Sequence, residues 1–196
     1  MAASKLNITI EQGATFSLGF NWYGAGKLCK LIEDLTPGCP TLITITSHGL
    51  PSTSPTPVMI SHVQGAKRAN TDGGMVKATY IDANSFYVDA DTVGQDYTAN
   101  TGLVTWFAPS DLTGYSARMH IRENIDDVTA IDELTSVGGE ITLSPTDGRI
   151  EVTIADDVTA AYDFDEAVYD LEVEDSGGAT KRLLYGTVTL SKEVTR

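Results

Sequence analysis

The sequence predicts an all-β protein. Segments of strict apolar–polar alternation recur from end to end, and period two marks half-buried strands. Turn signals rich in Gly, Pro, Asn and Asp separate them roughly every 8–12 residues, the spacing of sandwiches and barrels. No segment supports a helix longer than about two turns, and no 20–50-residue repeat interrupts the pattern.

The elements follow in order. Leu6-Asn-Ile-Thr-Ile10 alternates, Glu11-Gln-Gly13 turns, and Ala14 to Trp22 puts Phe16, Leu18, Phe20 and Trp22 on one strand face. Gly24, Gly26, Pro37, Gly38 and Pro40 punctuate the next stretch, and Lys27 to Leu35 fits either a strand or one short helix. Thr41 to Thr46 is β-branched and reads as a strand. Ser47 to Pro51 turns and Ser52 to Pro57 is a loop. Strands follow at Val58–Val63, Met75–Ile81, Ser85–Asp89 and Leu103–Phe107, with polar loops at 64–74 and 90–101. Pro109 to Gly114 is a turn region. Tyr115 to Arg122 alternates strictly, with Tyr115, Ala117, Met119 and Ile121 inward and Arg118, His120 and Arg122 outward. Residues 123–136 are acidic and mixed. Gly139–Leu143 and Arg149–Ile154 are strands about the turn 144–148. Asp156 is placed to cap a single helical turn running to about Ala161. Ala167–Val173 and Thr180–Leu190 flank the hairpin turn Asp175-Ser-Gly-Gly178.

The chain has 196 residues, enough for one large β domain or two small ones. Hydrophobic residues make up 41%, a globular composition. Thirteen basic against 27 acidic residues give a net charge of −14, which argues against nucleic acid as a partner. The acid excess concentrates after Asp111, a first sign of two modules. No apolar run approaches the ~18–20 residues of a membrane helix, and Met1 to Lys5 lacks a signal-peptide core, so synthesis in the cytosol is expected. Cys29 and Cys39 form neither a disulfide framework nor a zinc spacing, and are expected to be reduced thiols.

Several segments together resemble a known family. These are Asn7-Ile-Thr-Ile-Glu-Gln-Gly-Ala-Thr-Phe-Ser17 with Trp22, Asp111-Leu-Thr-Gly-Tyr-Ser-Ala-Arg-Met-His-Ile-Arg122, Gly139–Leu143, Gly148–Ile154, Tyr169–Val173 and Leu184–Leu190. In this order they resemble the immunoglobulin-like N-terminal domain of siphophage upper baseplate proteins. Some eighty residues intervene where that family has a short loop. Within them, Ile43–Leu50, Val58–Gly65 and Ile81–Val88 resemble a small β-barrel of phage tail-associated proteins. The resemblance implies a discontinuous immunoglobulin-like β-sandwich over 1–22 and 109–196, with a small β-barrel domain inserted at 23–108. Insertion at an exposed loop with neighbouring ends is physically tolerated.

No residue is assigned as catalytic, cofactor-binding or metal-binding. The three histidines, His48, His62 and His120, do not sit in a pattern of nucleophile, base and orienting acid, and no Gly-x-Ser-x-Gly elbow is present. The acids Asp126-Asp127, Asp156-Asp157, Asp163, Asp165 and Glu166 lack the order of an EF-hand loop and read as solvated loops. Two small β modules also offer little room for a glycosidase groove. Trp22 reads as core. Tyr23 and Trp106 are expected to pack one module on the other, and Tyr97 and Phe107 complete the aromatic candidates for a sugar platform. The resemblance therefore implies a non-enzymatic structural component of a tailed-phage virion (tail, baseplate, neck or collar, or fibre attachment). It would be made in the host bacterial cytoplasm, use no cofactor and contact no membrane. Its partners would be other virion proteins and further copies in a symmetric homo-oligomer. The alternative is a host-saccharide-binding or capsid-decorating surface module.

Overall fold

In the computed structural model, residues 3–52 and 55–194 are described; Met1, Ala2 and part of the expected loop at Ser52–Pro57 lie outside them. Sixteen strands and one short α-helix are present among the described residues. In chain order the strands are β1 (Ser4–Lys5), β2 (Ile8–Glu11), β3 (Phe16–Asn21), β4 (Tyr23–Leu31), β5 (Asp34–Thr36), β6 (Thr41–Thr44), β7 (Thr56–Ser61) and β8 (Val76–Asp82). Then come β9 (Ser85–Val88), β10 (Leu103–Pro109), β11 (Ser116–Arg122), β12 (Asp132–Thr135), β13 (Ile141–Ser144), β14 (Arg149–Ile154), β15 (Glu166–Glu174) and β16 (Thr180–Ser191). The helix α1 is Asp156–Ala160. The chain divides into two compact units, residues 1–22 with 111–196, and residues 23–110. The protein is thus all-β, as the alternation predicts.

The first unit is a β-sandwich. One sheet has the order β1-β16-β15-β11-β12, with β2 also lying along β16; the other is β13-β14-β3. The alternation of β11 puts Ala117, Met119 and Ile121 in the core, and that of β15 does the same for Ala167, Tyr169, Leu171 and Val173. Ile150, Val152 and Ile154 of β14 face them, and Phe16, Leu18, Phe20 and Trp22 pack on the same core. Burial of this kind, at roughly 25 cal/mol per Å² of apolar surface, is the main term that holds two sheets together. The two opening strands are consecutive in sequence but lie in different sheets. Strand β2 runs parallel to β16, with Val188 opposite Ile8, and β3 is antiparallel to β14.

Gly186 sets the approach of the opening segment. A Cβ built there would lie 2.0 Å from the Leu6 carbonyl oxygen, so only glycine lets β1 and β2 share the same edge of β16. Leu6 N–H donates to Tyr185 O at 2.9 Å, and Tyr169 Oη–H donates to Leu6 O at 2.8 Å. Burial pushes the Tyr169 phenol up to about 12.

The second unit is one seven-stranded sheet, β4-β10-β7-β8-β9-β6-β5, around a core that includes Ile32, Ile43, Ile60, Phe86, Val104 and Trp106. The expected barrel does not close by a hydrogen-bonded ladder among the described residues. The end strands β4 and β5 are consecutive in the chain and are not paired. At the step between them, Ile32 N–H donates to Gly102 O at 3.0 Å and Glu33 N–H donates to Thr44 O at 3.1 Å. One continuous stretch therefore leaves the neighbour at one end of the sheet for the neighbour at the other end, pivoting on a fully buried Ile32. The ambiguous Lys27–Leu35 segment is strand on both sides of that pivot.

Three further elements differ from the sequence reading. Strand β12 lies within the acidic stretch 123–136; its sequence Asp-Glu-Leu-Thr offers one buried side chain, Leu134, and it forms as the edge partner of β11. Strand β10 runs on to Pro109, a residue the sequence reading gives to the outer domain. Asp156 is not the cap of α1: the cap position is Ala155, with no side-chain hydrogen bond, and Asp156 is already helical. Thr159 anchors the helix instead, its hydroxyl donating to Ala14 O at 2.9 Å.

Candidate functional site

His48 is a core residue. It is 1% exposed, and its ring stands edge-on to Phe86 at 5.1 Å and to Tyr80 at 5.6 Å. Leu50 N–H donates to Nδ1 at 3.0 Å, so Nε2 carries the proton and donates it to Asp82 O at 2.7 Å. Both nitrogens are used by the turn itself and none is left for chemistry. His62 is exposed, lies just past β7 and adopts a left-handed φ of 62°, with Ser61 Oγ 2.9 Å from Nδ1.

The aromatic candidates are also largely committed to structure. Trp106 is 1% exposed inside the core of the second unit, which corrects its expected place as packing between modules. The Tyr97 hydroxyl lies 2.8 Å from Thr101 O and 3.1 Å from Ile32 O, and fastens the loop before β10 to the pivot. Trp22 packs on the sandwich core, edge-on to Tyr115 at 6.0 Å and under Lys181 Nζ at 4.7 Å. Burial raises the Tyr23 phenol. Phe107 is 36% exposed.

Cys29 and Cys39 are both free and exposed. Among the described residues no group of three or more His, Cys, Asp or Glu side chains is arranged to hold a metal ion. Several of the acids have local partners. Asp157 accepts from Val158 N–H, Asp127 accepts from Asn124 N–H, and Asp165 pairs with Lys192 at 2.8 Å. That pairing holds the Asp165 carboxyl below its ordinary value.

A surface emerges on the outer face of the larger sheet in the sandwich. Strand register aligns one cross-strand row, Lys5, Tyr185, Asp170, His120 and Glu133. Beside it runs a second row, Thr187, Val168 and Arg122. All of these but Glu133 line an open depression of ≈ 280 Å³ that also takes in Arg182 and Ile125. His120 Nε2 lies 3.3 Å from Glu133 Oε1, and Arg122 Nη2 lies 3.5 Å from His120 Nδ1. Arg122 Nη1 donates to the carbonyls of Asp127 and Val128, both at 2.8 Å, and so holds the 123–131 loop at the rim. That loop exposes Ile125 (79%) and Val128 (96%).

The alternation of β11 gives the outward direction of His120 and Arg122 from sequence. Composition does not single out Lys5, Arg182 and Tyr185; the ladders through β15 and β16 bring them to the same face as His120 and Arg122. Arg182 also stacks over the Tyr185 ring at 5.0 Å. No protein-family model matches this chain, and no curated protein matches it significantly in sequence.

Proposed function

We propose that this protein is a structural component of a tailed-phage virion that works by protein–protein contact and not by catalysis. The observation that carries the contact reading is the outer face of the six-stranded sheet. There a polar cross-strand row adjoins an open depression, and the rim loop presents Ile125 and Val128 to solvent. Exposed aliphatic side chains grouped beside charged ones are the composition of a protein interface. The phage assignment rests on the segment order from Asn7 to Leu190, which resembles the immunoglobulin-like domain of siphophage upper baseplate proteins. A host-saccharide reading draws less support, because Trp106 and Tyr97 are used inside the second unit.

Mass spectrometry and cryo-EM of purified particles made from the encoding genome test this reading. The chain is expected in the particles, in a copy number that fits a ring or collar. Particles that assemble normally and contain none of it overturn the proposal.

A further inference from the structure

Two regions of the sandwich surface have depressions whose linings carry opposite net charge. The depression on the outer sheet face gathers Lys5, Arg122 and Arg182 against one lining carboxylate, Asp170, in a chain where acids outnumber bases 27 to 13. Neither Lys5 nor Arg182 makes an ion pair among the described residues, and Arg122 spends its donors on backbone carbonyls. The other surface is built by α1, the 161–166 connection and the start of β12. Six carboxylates line its two shallow depressions, from Glu123, Asp132, Asp157, Asp163, Asp165 and Glu166, with no lysine or arginine in either lining. Lys192 pairs with Asp165 at 2.8 Å and lies within electrostatic reach of Asp163. Both surfaces mix charge with exposed apolar side chains: Ile125 (79%) and Tyr185 (37%) on the basic one, Ile131 (38%) and Val158 (39%) on the acidic one.

We infer that the basic depression on the outer sheet face docks the acidic end of the sandwich in a second copy of this chain. The inference rests on the reading of the protein as an assembly component and names one of its contacts. A chain of net charge −14 repels its own copies at long range, so a local surface of opposite sign favours self-association. The basic depression is such a surface, and the acidic end supplies its complement from the same domain. The exposed aliphatic groups on each side give apolar area to bury once the charges have met. Because the two surfaces differ, copies meet head to tail and propagate as a ring, or pair reciprocally about a two-fold axis.

Charge reversal with cross-rescue tests the contact. One variant combines Lys5→Glu with Arg182→Glu, leaving Arg122 to hold the rim loop. The other combines Asp163→Lys with Glu166→Lys, leaving the Asp165–Lys192 pair intact. Sedimentation of the wild-type chain at low salt should show reversible association that weakens at ~0.5 M salt. Each variant alone should associate about tenfold more weakly or worse. An equimolar mixture of the two should recover association, because each reversed surface then meets a complementary one. Far-UV circular dichroism confirms that both variants fold; should either fail, the single substitutions Arg182→Gln and Glu166→Gln replace it, and each is expected to weaken association. A wild-type chain that stays monomeric up to millimolar concentration overturns the contact, as does association that neither reversal weakens. A monomeric chain that is nevertheless present in particles overturns only this contact, whereas particles without the chain overturn the assembly role itself.

Discussion

Single residues in this protein do work that their chemistry alone does not announce. His48 falls in no catalytic pattern in the sequence, and in the structure it serves as a polar peg between Leu50 N–H and Asp82 O. Removing it leaves a buried donor, a half-buried acceptor and a cavity, so His48→Ala should cost about 3 kcal/mol, measured by denaturant unfolding. His62 holds a left-handed φ that costs an L residue roughly 1 kcal/mol or more. His62→Gly should therefore raise stability by about 0.5–1 kcal/mol in the same assay. A third expectation concerns alkaline pH. Burial raises the Tyr169 phenol from its ordinary 10.0 to about 12, and burial with the Asp132 hydrogen bond raises Tyr162 further. The native state therefore holds these protons more tightly than the unfolded chain does. Their contribution is complete below pH 10 and declines as pH climbs from 10 towards 12. Melting temperature should fall across that window, and Tyr169→Phe should flatten the fall. An unchanged slope in the variant would remove Tyr169 from the explanation.

Elements form here under constraints that local pattern expresses unevenly. Strand β11 is legible because three inward side chains alternate with four outward polar ones. Strand β12 is not, because a tetrapeptide with one apolar residue has no period to detect; its ladder with β11, Met119 opposite Leu134, creates it. The opening segment shows a subtler dependence. Its alternation predicts one strand from Leu6 to Ile10, but β1 and β2 are separate pieces that pass Gly186 at backbone contact distance. Gly186→Ala forces the Leu6 carbonyl away from β16 and should cost about 2–3 kcal/mol. Hydrogen exchange should show the loss first at Leu6 N–H, whose acceptor is Tyr185 O. Protection at Leu6 equal to that of the wild-type chain would mean that the edge tolerates a Cβ.

At the scale of the molecule, the two compact units each carry their own core. We expect a shortened chain, with residues 24–107 replaced by a short Gly/Ser linker, to fold as the sandwich. Its two segments hold together through the ladders β14–β3 and β16–β2, which lie wholly within the first unit. Dispersed NMR resonances and a cooperative melt would agree with that expectation; a spectrum of unfolded chain would refute it.

The sequence by itself determined the all-β class, most strand positions and the inward residues of the sandwich, because side-chain alternation is a local property that burial must respect. It also determined the charge imbalance between the chain's two parts. Tertiary structure decided what depends on partners distant in sequence. It put β2 and β3 in different sheets, turned the second unit's ends through Ile32 with no closing ladder among the described residues, and buried His48 and Trp106. It also set Lys5 and Arg182 beside Arg122 on one outer face. Period two tells which way a side chain points along one strand. Only the register between strands, fixed by hydrogen bonds over long sequence separations, tells which side chains become neighbours.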